Sequence, residues 1–214
     1  MFLTLIGRDL GQAWGRAGQA WLPLAFFLLA ASLFPFAIGP DRPVLERVAP
    51  GALWTAALFA AVLPIPTLFE PDRADGTLDQ LAVRGIAFET VAAARMLAHW
   101  LAFALPLLLA TPVAGALLGL SAEALPRTLL ALSVGTPGLA ALAVMAGALT
   151  AGAREAGALA PLIVLPLAVP ILIFGAGLAG DSGPGAAKWL GAASLLLVAL
   201  GPLAAGAALR AGQD

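Results

Sequence analysis

Few side chains in this sequence are equipped for chemistry, and their placement limits what chemistry is open to it. There is no cysteine and a single histidine, His99. Without cysteine there are no disulfides, no thiolate metal sites and no covalent haem attachment through Cys-x-x-Cys-His. His99 sits beside Trp100 in a stretch free of charge, and an ionisable group inside a membrane segment is a functional candidate by default. Its imidazole suits two tasks: ligating haem iron, or donating a neutral hydrogen bond between helices. The structural task needs less, because one histidine without a second ligand makes a poor metal site. No carboxylate pair, Ser/His/Asp set or metal cluster lies inside the apolar stretches, so the sequence is not expected to be an enzyme. Gly175-Ala176-Gly177-Leu178-Ala179-Gly180 has the letters of a dinucleotide fingerprint, which requires a preceding strand in a βαβ unit. Here it ends an apolar run. Gly183-Pro184-Gly185 before Lys188 lacks the Ser or Thr of a phosphate loop, since Trp189 follows. Any ATP chemistry must come from another chain.

The elements that position these residues follow from composition. Of 214 residues, 61% are hydrophobic and 11% charged, against about 45–50% and 25% in soluble domains. A net charge of -1 excludes nucleic acid as a partner, because phosphate binding needs a basic surface. The 23 charged residues leave six stretches untouched: 21–38, 51–69, 96–120, 128–153, 156–180 and 189–209. About 20 apolar residues cross a bilayer as a helix, and unbroken apolar runs exclude a barrel of alternating strands. The fold expected is an all-α integral membrane protein with six transmembrane helices. With both termini cytoplasmic, Arg8, Arg16, Arg73, Arg84, Arg95, Arg154 and Arg210 lie inside and Arg42, Arg47, Arg127 and Lys188 outside, a positive-inside bias. Trp21, Trp54, Trp100 and Trp189 fall near the starts of apolar stretches, where an aromatic belt would place them.

Residues 1–20 form a different object. Leu3, Ile6, Leu10, Ala13, Trp14, Ala17 and Trp21 recur at spacings of three and four, with Arg8, Gln12, Arg16 and Gln19 opposite. This pattern predicts an amphipathic helix lying in the membrane interface. Gly7, Gly11 and Gly15 share one stripe, which fits either close packing on a neighbour or a marginal helix. Residues 210–214 are a short tail.

One connection is long: 70–95, with eight of the 23 charges. Its first half reads as a turn followed by a short helix. Asp75-Gly76 is a turn signal, and Thr77 with Gln80 has the form of a capping box. Leu78 and Leu81 then share a face beside Asp79. Two readings remain open: a helix presenting leucines and acids to a partner's groove, or a re-entry turn whose leucines pack on the membrane surface. Prolines punctuate the spans. Pro161, Pro166 and Pro170 in the fifth, Pro137 in the fourth, Pro106 and Pro112 in the third, and Pro64 with Pro66 at the end of the second each remove a backbone hydrogen bond. Kinks are expected at Pro137, Pro166 and Pro170. Gly115 and Gly119 form a Gly-x-x-x-Gly pair that permits close helix contact.

These residues resemble the CcmB family, the haem exporter B permease subunits of cytochrome c maturation. The similarity runs through 33–40, 49–54, Leu68-Phe69-Glu70-Pro71-Asp72-Arg73-Ala74-Asp75-Gly76-Thr77-Leu78-Asp79-Gln80-Leu81, Ala98-His99-Trp100, Gly135-Thr136-Pro137 and 165–177. Ala168 departs from it, since the family often has an aromatic residue there. The resemblance implies a permease of the type-2 ABC exporter kind, paired as a homodimer on a separate ABC ATPase subunit that binds the ATP. It makes Pro71–Leu81 the ATPase-coupling segment, with Pro71, Asp72, Asp75, Gly76, Thr77, Leu78, Asp79, Gln80 and Leu81 as its residues. It also implies a haem-handling membrane subunit, a small single-span subunit and a periplasmic haem chaperone as partners. The place would be the bacterial inner membrane, with haem as a possible cargo and no permanently bound cofactor. The expected function is haem export, or release of the loaded chaperone, for c-type cytochrome biogenesis. Two other readings fit the same residues: a type-2 permease for another lipophilic substrate, and a non-transporting scaffold for the haem-handling subunit.

Overall fold

The structure is a computed structural model that describes residues 1–15, 21–153, 156–180 and 184–212. Arg16, Ala17, Gln19, Arg154 and Gly183 lie outside the described residues. Helices occupy α1 (Phe2–Gly15), α2 (Trp21–Ile38), α3 (Arg42–Val62), α4 (Ile65–Ala74), α5 (Thr77–Val83), α6 (Phe88–Leu117), α7 (Ala124–Thr150), α8 (Ala156–Gly180) and α9 (Pro184–Ala211). Six segments are long and apolar enough to cross a bilayer, α3 and α4 counting together as Arg42–Ala74. Several run past the uncharged stretches of the sequence. The third starts at Phe88 rather than 96, because Glu89 and Arg95 are helical and each has a charged partner. A boundary drawn at the nearest charge cannot see that pairing.

Lipid gives no hydrophobic drive for helices to associate, so close packing of small residues takes over. α7 sits at the centre, against α3, α4, α6, α8 and α9. Its buried face is built largely of alanine and glycine, including Ala140, Ala141, Ala143, Gly138 and Gly147. Trp54 of α3, fully buried, fills a slot between two glycines. A β-carbon at Gly135 would lie 2.4 Å from its ring, and one at Gly175 would lie 2.3 Å away. The dinucleotide-like glycines are therefore helical, and Gly175 is the notch that seats an indole. Trp54 is a core residue rather than part of an interfacial belt; Trp21 and Trp189 are exposed.

The helices stay continuous through Pro106, Pro112, Pro137, Pro166 and Pro170. One residue past Pro137, the Gly138 N–H donates to Ser194 Oγ at 3.0 Å, so a side chain of α9 serves the backbone beside the proline. Among the described residues of the six spans, the helical ladder is interrupted between α3 and α4, at Leu63–Pro64. Among the described residues, a β-carbon at Gly115 would meet Leu120 and one at Gly119 no atom within 4 Å, so the pair does not pack on a second helix of this chain. Gly119 takes φ +70° at the end of α6, and the Leu120 N–H returns to the Gly115 carbonyl at 2.8 Å, a Schellman close. A β-carbon at Gly7, Gly11 or Gly15 would meet no atom within 4 Å among the described residues.

Candidate functional site

Both ends of the chain meet the start of α6. Arg8 and Asp9 of α1 approach Arg95, while Arg210 of α9 pairs with Glu89. The termini therefore share one face of the bundle, and the long connection lies on that face too. Its form differs from a simple turn and helix. Phe69–Ala74 belong to α4, which is held by the buried Leu68, Phe69 and Asp72. The turn is confined to Asp75–Gly76, and the short helix is α5. Thr77 is not its cap. Gly76, at φ +74°, occupies that position with no side-chain cap, and the Thr77 N–H donates to Asp75 Oδ1 at 2.9 Å. An aspartate reaching two residues on is an Asx turn, and here it displaces the capping box. Gly85 ends α5 at φ +73°, with Ile86 N–H bonded to the Leu81 carbonyl.

Leu78 and Leu81 are buried, as is Ile86. The leucines hold α5 onto the bundle, and the face open to a partner is Asp79, Gln80, Val83 and Arg84. Val83 is 89% exposed. An apolar side chain so bare on a capped helix, flanked by Asp79, Gln80 and Arg84, has the form of a docking contact. Spacing alone marks Asp79, Gln80 and Val83 as one face, but nothing in spacing says which face looks outward. Asp72 also differs from its expected role: it is buried and fully engaged. Pro71 lies inside α4.

The engagement of Asp72 is the feature sequence reasoning missed. Arg95 Nε donates to Asp9 Oδ2 at 2.7 Å, and its Nη2 to Asp72 Oδ2 at 2.5 Å. Arg8 Nη2 donates to Asp9 Oδ1 at 2.8 Å and Asp72 Oδ2 at 2.6 Å. The Arg95 guanidinium also lies 5.1 Å from the Phe69 ring centroid. Two cations and two anions cancel, and each carboxylate bonds to both arginines. Burial works against the charge of Arg8, but its bonds and attraction to Asp9 and then Asp72 outweigh that, so it titrates above its ordinary value. Such a cluster is tolerated out of water only when complete; removing one member strands a charge at a cost of about 3–5 kcal/mol. Other ties on this face are exposed: Gly152 N–H to Glu70 Oε2 at 2.8 Å, Arg73 Nη1 to the Ala151 carbonyl at 3.2 Å, and Glu89 with Arg210. Exposed ion pairs are worth about 0–1 kcal/mol.

The buried face of α1 consequently differs from its predicted apolar face. Leu5, Ile6 and Asp9 are buried, with α1 packed along α6, while Leu3 and Trp14 are exposed. His99 lies one turn beyond Arg95. It is buried, its ring lies tilted at 32° and 4.9 Å from that of Phe103, and it donates a hydrogen bond to the backbone of Ala61; Nε2 has no partner among the described residues. Ala61 sits just before the Leu63–Pro64 break, so His99 serves backbone at the interrupted ladder. A cavity of about 70 Å³ adjoins it, lined by residues including Asp9, Thr67, Arg95 and Phe103. Pockets for drug-sized ligands run about 300–1,000 Å³, so this space is too small for a porphyrin. Trp100 donates from Nε1 to Thr136 Oγ1 at 3.1 Å, joining α6 to α7. Among the described residues no group of three or more His, Asp or Glu side chains is placed to hold a metal ion.

Known proteins resemble this chain along its whole length. The CcmB protein family profile matches residues 1–212. Heme exporter protein B of Paracoccus denitrificans is 44% identical over 212 residues, 97% of each chain. That of Haemophilus influenzae is 41% identical over 219 residues, 100% of this chain and 99% of the relative. That of Pseudomonas aeruginosa is 36% identical over 215 residues, 98% and 96% of the two. Together with six helices able to span a bilayer, these matches place the chain in the CcmB family as a multi-pass membrane protein.

Proposed function

We propose that this chain is the permease subunit of an ATP-driven haem-export or haem-chaperone-release complex that serves c-type cytochrome biogenesis. The observation that carries the reading is the outward face of α5. A capped two-turn helix, seated by Leu78 and Leu81, presents Asp79, Gln80, Val83 and Arg84 beside both termini. That is the kind of surface a separate ABC ATPase subunit can grip. Family membership and the names of the relatives, all heme exporter protein B, support haem as the cargo. In this reading the termini face the cytoplasm of a bacterial inner membrane, the subunit works as a homodimer, and ATP is bound by the partner. The haem-handling subunit, the small single-span subunit and the periplasmic chaperone complete the assembly.

Two experiments test it. Val83→Asp is expected to reduce co-purification of the ATPase at least about tenfold, since 1.4 kcal/mol suffices for that factor. The variant should leave the yield of folded protein unchanged, because Val83 touches nothing that holds the bundle. Unchanged co-purification would remove α5 as the docking element. His99→Ala is expected to retain cytochrome c maturation, as a cavity of about 70 Å³ has no room for haem. Complete loss of maturation in a stably inserted His99→Ala protein would restore the ligand role.

A further inference from the structure

The bonds around the docking segment differ in what it costs to open them. Within the trio α1, α4 and α6 they are buried: the side chains of Asp9, Asp72 and Arg95 are 6%, 4% and 7% exposed. Opening one would strand a charge away from water. At the edge of the trio the ties are exposed, namely Glu70 to Gly152, Arg73 to Ala151 and Glu89 to Arg210, and water replaces these readily. On the sides of α7 and α9 the neighbours at these contacts are glycines: Gly147 meets the Ile65 carbonyl, the Phe69 ring and Leu68, and Gly206 meets Glu89. Towards α3 the ladder is broken at Leu63–Pro64, where proline has no N–H to continue it. The cavity lined by Pro64, Thr67 and Leu68 lies beside that break.

We infer that α1, α4 with α5, and the first turns of α6 form one mechanical body, locked by Arg8, Asp9, Asp72 and Arg95, that moves in the transport cycle about the Leu63–Pro64 break and by bending of the unbroken α6 beyond Arg95. α1 is then a moving part, more than an anchor in the interface. Asp9 and Arg95 are positioning residues that act on the docking segment through Asp72. The edge of the body follows the exposed ties. Its drive rests on the docking proposed above, whereas the lock is a property of this chain alone.

The chain contains no cysteine, so spin labels can be placed without a background. Gly11→Cys on α1 is open, a β-carbon there meeting no atom within 4 Å. Ala74→Cys at the end of α4, off the docking face, and Ala122→Cys between α6 and α7 are exposed. Distances are measured by pulsed electron resonance in the complex of this chain with its ATPase, in nanodiscs, without nucleotide and with vanadate-trapped ATP. The 11–74 distance should stay the same in both states while the 74–122 distance shifts. Without nucleotide, Asp9→Asn should broaden the 11–74 distribution. If Asp9→Asn fails to fold, Arg8→Gln replaces it, since Arg8 is partly exposed and its loss leaves both Arg95 bonds in place; a smaller broadening is then expected. A nucleotide-dependent 11–74 distance with the cluster intact would overturn the single body, as would an 11–74 distribution that neither variant broadens. If neither distance responds to nucleotide, the drive through α5 fails and the moving body with it; broadening by Asp9→Asn would then identify a static lock.

Discussion

Arg95→Ala will lower the melting temperature of the purified, solubilised protein by roughly 6–20 °C, the range that a loss of about 3–5 kcal/mol produces in a chain of this size. The reason is charge balance. Arg95 donates to Asp9 and Asp72 at once, and Arg8 alone cannot neutralise two carboxylates. Both acids are buried, so neither can recover its hydration without pulling α1 or α4 away from α6. Arg84→Ala is the control: Arg84 is exposed at the end of α5, and its loss should stay within about 0.5 kcal/mol. Replacing Arg95 and Asp72 together should cost less than the two single changes added, because groups in one network do not act independently. A shift under about 2 °C for Arg95→Ala, well below the 3–5 kcal/mol class of effect, would mean that water reaches the cluster and that it holds nothing together.

The second large effect concerns the Trp54 slot. Gly175→Ala places a β-carbon 2.3 Å from the indole, far inside contact distance, and at Gly135 too an added β-carbon would lie only 2.4 Å from the ring. The ring has no direction in which to yield, so the change should cost about 1–3 kcal/mol or more as overpacking. Trp54→Ala removes the ring and should cost about 3–5 kcal/mol through the void it leaves. The two changes together should cost clearly less than their sum, since the added methyl occupies space the indole has vacated. Thermal unfolding of the four proteins measures this directly, and strict additivity would contradict the seating of Trp54 between α7 and α8.

Lipid makes some of this architecture readable from sequence and conceals the rest. Charge-free stretches reveal spans because a hydrocarbon core excludes unpaired charge, and a chain with 11% charged residues has little else to obscure them. The same reasoning fails at the helix ends. Arg95 and Glu89 look like loop residues until their partners are known, and those partners lie 86 and 121 positions away. Helix α5 is legible in the sequence as a turn followed by two leucines at helical spacing. Its facing is not, since Leu78 and Leu81 fit an inward or an outward stripe equally until the bundle is assembled. Thr77 illustrates a local conflict. Its spacing to Gln80 matches a capping box, yet Gly76 in the left-handed region and Asp75 behind it serve the same backbone. Gly175 carried a misleading motif because glycine recurs wherever backbone must come close, whether to a pyrophosphate or to an indole.

Haem delivery driven through α5 is tested by the covalent c-type haem in the membranes of a strain deleted for this gene. All c-type haem is expected to be lost, and to be restored by the wild-type gene but not by a stably expressed Val83→Asp variant. Normal c-type haem in the deletion strain, with no second copy of the gene, would contradict it.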